Sequence, residues 1–174
     1  MQYYILWVKV VKNVKKWGNV TGFLTGKFEF SIDAKGRISI PAKFREILGE
    51  CGSFHIVRVP KYRLRILPRC EWEKKAQVYA NLPETEEFHE YTINFYNSQT
   101  NCDSDAQGRI TIPKWQLDLI KYKGGKIVLL GMGKYLEACC VEYENSDINS
   151  DINEKDFADY YYKVEREIGK FEQK

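Results

Sequence analysis

Two short segments of this chain set an acid and a base four residues apart on either side of a turn-forming glycine. Asp33-Ala34-Lys35-Gly36-Arg37 and Asp105-Ala106-Gln107-Gly108-Arg109 agree at Asp, Ala, Gly and Arg. Over Ile32–Pro41 and Ser104–Pro113 there are seven identities in ten positions, at a constant spacing of 72 residues. Such a match is an internal duplication. Gly36 and Gly108 permit the positive φ that a tight reversal needs. Asp33 and Asp105 can accept backbone N–H bonds across the turn, or pair with the Arg four residues on. Two roles stay open for Arg37 and Arg109. In one, each guanidinium braces its turn against the Asp. In the other, its planar five-donor fork contacts a phosphate or a guanine edge. Lys35 adds a cation to the first turn, whereas Gln107 leaves the second neutral, and Lys43 and Arg45 follow soon after the first. The first copy is the better phosphate-binding candidate, and the second leans toward scaffolding.

The elements that must hold these turns are also legible. Phe28, Phe30 and Ile32 alternate with Glu29 and Ser31, the period of a half-buried strand. Ile38-Ser39-Ile40 resumes the alternation after the turn, and Pro41 ends it. Ala42–Gly49 then reads as a short helix, with Pro41 at its first turn and Gly49 as its stop. His55–Val59 and Arg63–Leu67 form two more strands across Pro60-Lys61-Tyr62. Cys102–Leu119 repeats the order of the first turn unit, and Lys126–Leu130 and Lys134–Val141 are strand-like. Between the copies, Glu71–Leu82 has helical spacing with Trp72, Ala76 and Tyr79 on one face. Glu84–Asn94 is a second helix carrying Phe88 and Tyr91, with Phe95 next in the series. After the Asn/Ser-rich Glu144–Ser150, Asp151–Phe171 reads as a charged amphipathic helix. The class is α+β. It divides into an N-terminal extension (1–22), a first half (23–70), linking helices (71–98), a second half (99–143), and a polar linker with its helix (144–174).

Composition narrows the function. The 174 residues are 44% hydrophobic and 29% charged, enough for a packed core and inconsistent with global disorder. The net charge of +3 hides an asymmetry. Residues 1–70 hold 14 Lys/Arg against 4 Asp/Glu, and the remainder 13 against 20. A basic half joined to an acidic one directs the search for a nucleic-acid face to the first part. Five cysteines in an irregular pattern, two of them adjacent, indicate neither a disulfide framework nor a zinc site. Reduced cytoplasmic thiols account for them. Met1–Val11 is apolar but short and interrupted by Lys9, so neither membrane anchoring nor export is read from it. As an added strand, a basic leader through Lys12, Lys15 and Lys16, or sequence upstream of the natural start, residues 1–22 stay open.

No catalytic constellation is found. His55 and His89 fall in different elements and lack a clustered Asp or Ser partner. Glu84, Glu86, Glu87 and Glu90 read as a charged helix face. There is no phosphate-binding Gly-rich loop, and Gly131-Met132-Gly133 is too short for a dinucleotide fingerprint. The reading is a non-enzymatic protein without cofactor, metal or small-molecule substrate.

On these residues the chain resembles the MraZ family of the SpoVT-AbrB-like superfamily. Phe23-Leu24-Thr25-Gly26 looks like the family's opening region, and the two Asp-Xaa-Xaa-Gly-Arg copies match its signatures. Leu64–Trp72 is similar to its Leu-Xaa-Leu-Tyr-Pro…Glu-Trp segment. Val128–Gly131 and Leu136-Glu137 are similar to its late strands. The extension before Phe23 departs from the pattern, Cys139 falls where a Trp is expected, and the tail is acidic. The resemblance implies a duplicated swapped-hairpin β-barrel with short flanking helices, pseudo-two-fold within one chain. It implies a ring-like, octamer-like homo-oligomer that binds double-stranded DNA at short promoter repeats and represses the division and cell-wall gene cluster. Location in the cytoplasm, on the nucleoid, follows from it. Carried over by position, Lys35, Arg37 and Arg109 are DNA-contact residues, with Lys43 and Arg45 beside them. Asp33, Gly36, Asp105 and Gly108 shape the hairpins. A competing expectation is an antitoxin-like interaction module that buries Phe157, Tyr160, Tyr161, Val164 and Ile168 of the tail helix against a partner.

Overall fold

The computed structural model describes residues 23–48, 53–144 and 151–171. Readings that fall on residues 1–22, on Gly49 and Cys51, or on the Asn/Ser-rich run 145–150 lie outside them. Both halves follow one order. The first is β1 (Leu24–Ser31), β2 (Arg37–Ser39), α1 (Ala42–Leu48), β3 (Ser53–Val59) and β4 (Arg63–Pro68). The second is β5 (Thr100–Asp103), β6 (Arg109–Thr111), α4 (Lys114–Leu119), β7 (Lys126–Gly133) and β8 (Leu136–Cys140). Between them lie α2 (Arg69–Tyr79) and α3 (Glu86–Asn97), and a single 3-10 turn at Val141–Tyr143 precedes α5 (Ile152–Phe171).

Several boundaries differ from expectation for local reasons. Helix α2 begins at Arg69, not Glu71, because Pro68 closes β4 and cannot donate to a continuing ladder. Helix α3 begins at Glu86, not Glu84, because the Thr85 side chain caps it by accepting the Phe88 N–H at 3.3 Å. It runs on past Asn94 because Phe95 is buried beneath it. Strand β7 extends to Gly133 because all eight residues of β1 pair along it, from Leu24 opposite Gly133 to Ser31 opposite Lys126.

The strands of the two halves interleave. Six form an antiparallel sheet in the order β1-β7-β8-β4-β3-β5, and the other two form a separate ribbon, β2–β6. Exchanging each strand for its counterpart in the other half (β1 with β5, β3 with β7, β4 with β8) turns this order into its own reverse. The ribbon is likewise centred on matched residues, with Ile38 directly opposite Ile110.

Both faces of the sheet are covered. On one lie Ile38, Ile40, Ile110 and Ile112 of the ribbon, with Phe44 of α1 and Leu117 of α4, packed against Ile56, Leu64, Ile66, Ile127 and Leu129. Burying each isoleucine contributes about 1.5–3 kcal/mol. On the other lie Tyr79, Tyr91, Phe95, Tyr161, Val164 and Ile168 of the helices α2, α3 and α5, against Val57, Val59 and Leu67. Neighbours such as Ile56 and Val57 therefore serve different cores, as pleat alternation requires. Strand β8, where Cys139 was the point of departure from the family pattern, is buried along its whole length.

The tail helix packs on its own chain. Its apolar stripe is covered by its own chain: Tyr161, Val164 and Ile168 are buried, and Phe157 and Tyr160 pack against the same cluster. The start of α5 is fixed by polar bonds. Glu154, 2% exposed, accepts from Arg58 Nη2 at 2.6 Å, the Lys61 N–H at 2.6 Å and the Tyr62 N–H at 3.2 Å. Lys61 and Tyr62 form the β3–β4 turn with φ of 66° and 52°. Asp151 accepts from the Tyr62 hydroxyl and, at 3.0 Å, from Lys121 Nζ.

Candidate nucleic-acid interface

Each duplicated turn is closed by its own aspartate. In the first, Asp33 Oδ1 accepts the N–H groups of Lys35 at 2.8 Å and Arg37 at 3.0 Å. Its Oδ2 receives Arg37 Nε and Nη2, both at 2.7 Å. The main chain closes alongside, from Gly36 N–H to Asp33 O at 2.9 Å and from Asp33 N–H to Arg37 O at 3.1 Å. The second turn repeats every one of these bonds. Asp105 Oδ1 accepts from Gln107 at 3.0 Å and Arg109 at 2.9 Å, and Oδ2 from Arg109 Nε and Nη2 at 2.7 Å. The glycines take φ of 76° and 73°, the left-handed region that makes them necessary. Both carboxyls are held below the ordinary carboxylate range, first by the backbone N–H of the Arg and then by its guanidinium.

The ribbon joins the two turns into one surface. Ile40 N–H donates to Gly108 O at 3.0 Å and Ile112 N–H to Gly36 O at 2.9 Å, so each strand end is tied to the turn of the other copy. Because Ile38 and Ile110 point into the core, pleating sends Arg37, Ser39, Arg109 and Thr111 to the outer face. Arg37 stands opposite Thr111 and Arg109 opposite Ser39. The two arginines are thus about 7 Å apart along the strands, at roughly 3.3 Å per residue. They lie in separate charge halves of the sequence yet on one face of the molecule.

The other sequence-derived candidates scatter around this face. Lys35 is exposed at the first turn and Gln107 at the second, and Lys43 is exposed on α1. Arg45 is also exposed, but it reaches across to the second turn, with Nη1 3.3 Å from Gln107 O. Of the two roles left open for the turn arginines, the bracing contacts are present in both copies. They engage Nε and Nη2, and Nη1 of either arginine makes no hydrogen bond among the described residues.

Elsewhere the chemistry is structural. His55 stacks on Trp72 at 4.0 Å, meets Gln99 Nε2 at 2.6 Å through Nδ1, and has its pKa lowered by burial. His89 is exposed on another element. Glu87 pairs with Lys163 at 2.7 Å. Among the described residues no three His, Cys, Asp or Glu side chains gather as a metal site, and no helix is long and apolar enough to cross a membrane. Sequence reasoning did not anticipate Glu154, whose partners are more than 90 residues away, or the contact of Arg45 with the second turn. No local pattern signals either.

Fold and site define an α+β protein in which two turns of like sequence meet at a two-stranded ribbon carrying matched arginines. The family described as "MraZ protein, putative antitoxin-like" matches residues 23–93. The Transcriptional regulator MraZ of Carboxydothermus hydrogenoformans is 30% identical over 125 residues, covering 71% of this chain and 85% of that protein. The Transcriptional regulator MraZ of Halothermothrix orenii is 34% identical over 113 residues, 64% of this chain and 77% of its own length. This chain belongs to the MraZ family.

Proposed function

We propose that this chain is a sequence-specific DNA-binding transcription regulator that contacts DNA through the outer face of the β2–β6 ribbon. One observation carries the reading: the turns hold Arg37 and Arg109 on a single exposed face with their guanidiniums pre-oriented, and Lys35 and Arg45 stand at either end of it. Fixed arginines lose little rotamer freedom when they meet a phosphate or a guanine edge. The names of the two relatives agree with a regulator. In this reading the fold is the duplicated swapped-hairpin β-barrel of the SpoVT-AbrB-like class, and the palindromic strand order supports it. One ribbon offers few phosphate contacts, so tight binding calls for several ribbons presented together, as in a ring-like homo-oligomer on short promoter repeats. The protein then represses the division and cell-wall gene cluster from the nucleoid, and it is not an enzyme.

The test is selection of bound duplexes from random double-stranded DNA, followed by affinity measurement on the selected sequence as salt rises. Specific binding with a steep salt dependence is expected, and Arg37→Ala should abolish the specificity while leaving the oligomer intact. Undiminished binding by Arg37→Ala would show that Arg37 does not contact DNA. Loss of the oligomer would support the bracing role.

A further inference from the structure

A cavity of about 330 Å³ opens between the helices α3, α4 and α5 beside strand β3. That volume is at the lower end of the roughly 300–1,000 Å³ spanned by small-molecule sites. Its walls are aromatic: Tyr91 and Phe95 of α3, Trp115 of α4, and Phe157, Tyr160 and Tyr161 of α5. The tyrosine hydroxyls already have partners. Tyr91 donates to Glu165, Tyr160 donates to Glu87 O at 2.8 Å, and Tyr161 accepts from Arg65 at 3.4 Å. Trp115 is different, being 43% exposed and stacked on no other ring among the described residues. The polar groups of the wall are few and partly unused. The Arg58 guanidinium lies 4.5 Å from the centre of the Phe157 ring. Its Nη2 donates to Glu154 at 2.6 Å, whereas Nη1 makes no hydrogen bond among the described residues. The side-chain amides of Asn94 and Asn97 are exposed and likewise make none among them.

We propose that this cavity binds a neutral, planar heteroaromatic molecule of one or two rings. Its ring covers the open face of Trp115, and its acceptor, a carbonyl oxygen or ring nitrogen, takes the Nη1 proton of Arg58. Asn94 and Asn97 offer both donors and acceptors to the ring edge. Charge sets the class. Glu154 stands 2.6 Å from the same guanidinium, so the arginine is already balanced. A carboxylate ligand would meet the charge of Glu154, and a cationic one that of Arg58. The site bears on the ribbon without depending on what the ribbon binds. Helix α4 continues from β6 across Ile112-Pro113, and the Ile112 N–H is tied to Gly36 O at 2.9 Å. Beside Trp115, the fully buried Gln116 donates through Nε2 to Ser98 O at 2.8 Å and Ile56 O at 2.9 Å, and Ser98 is part of the cavity wall. A ligand seated here holds α4 against α3.

The test is titration of the full chain with benzimidazole, a neutral two-ring probe with a ring-nitrogen acceptor, followed by Trp fluorescence and saturation-transfer NMR. A Kd of about 1 mM or tighter is expected for a fragment of this size. Bound probe should also slow amide hydrogen exchange over α4. Trp115→Ala and Arg58→Lys should each weaken binding about 3- to 10-fold, through a lost stack and a lost hydrogen bond. Ile93→Ala, exposed on α3 but outside the cavity wall, should change nothing. Thermal melts identify which variants remain folded. Trp115 and Ile93 are both exposed, so that pair decides the matter even if Arg58→Lys does not fold. Absence of binding overturns the proposal, as does binding that Trp115→Ala leaves unchanged. Unaltered exchange over α4 places the probe elsewhere and overturns the site. Naphthoate, of similar shape but anionic, should bind more weakly, and equal or tighter binding by it overturns the neutral class.

Discussion

The β3–β4 turn and the ribbon turns solve one problem in two ways. In each, backbone N–H groups of a reversal are gathered by a single carboxylate. At the ribbon the carboxylate is local: Asp33 and Asp105 serve residues two and four positions on, and glycine occupies the positive-φ site. At β3–β4 the positive-φ residues are Lys61 and Tyr62, and the carboxylate comes from Glu154, 93 and 92 residues away. A left-handed residue with a side chain costs roughly 1–2 kcal/mol. The ribbon turns avoid that cost by composition, since glycine takes the positive φ. The β3–β4 turn tolerates it because the tail helix is docked there. The ribbon turn takes its carboxylate from its own sequence, whereas the turn that anchors a helix borrows its carboxylate from that helix.

The largest expected effect tests this borrowed anchor. Glu154→Ala leaves Arg58 without its 2.6 Å partner and two turn N–H groups without an acceptor. Removing one member of a buried pair costs about 3–5 kcal/mol, and the partial exposure of Arg58 places this one at about 3 kcal/mol. Urea unfolding measures it, and a loss under about 1 kcal/mol would mean that the turn holds itself. Next in size is Lys61→Gly, which removes left-handed strain and adds backbone entropy to the unfolded chain. A net gain of about 0.5–1 kcal/mol is expected, and a loss would show that the Lys61 side chain contributes more than its backbone costs. Smaller still in stability are Asp33→Ala and Asp105→Ala, whose turns lie in solvent. Melting should move much less than for Glu154→Ala, while DNA affinity falls because Arg37 and Arg109 lose their orientation. Melting shifts as large as that of Glu154→Ala would erase the distinction between self-contained and borrowed turns.

The same contrast explains what could be read from the sequence. The ribbon turns, the α+β class and the repeated element order were visible because every residue that makes them lies within a few positions of its partners. Asp33 and Arg37 declare a turn wherever they occur together with Gly36. Strand pairing between halves was not visible, because no local residue states that β1 joins β7 or that β4 joins β8. The division into a basic and an acidic half does not say where the second turn lies, for the same reason. Only the pairing of Ile38 with Ile110 puts Arg109 beside Arg37 and brings Arg45 onto Gly108. Glu154 looked like one acid among many on a charged helix, since its burial depends on where that helix lands.

Acid unfolding separates the two kinds of turn once more. Asp33, Asp105 and Asp151 all have lowered pKa values, the first two chiefly through the backbone N–H of their own arginine. Asp151 is lowered further, to about 2, by the Tyr62 hydroxyl and then Lys121 Nζ. A carboxylate more acidic in the folded chain than its ordinary 3.8 stabilises fully above that pH and loses its contribution as pH falls through the folded value. For Asp151 the window runs from 3.8 down to about 2. Melting followed across this range should decline less steeply in Asp151→Asn than in the wild type, because Asn has no proton to take up. Asp33→Asn should flatten the decline less, because its smaller shift involves one local turn. If the acid limbs of Asp151→Asn and wild type coincide, the contacts of Asp151 with Tyr62 and Lys121 do not help hold the tail helix.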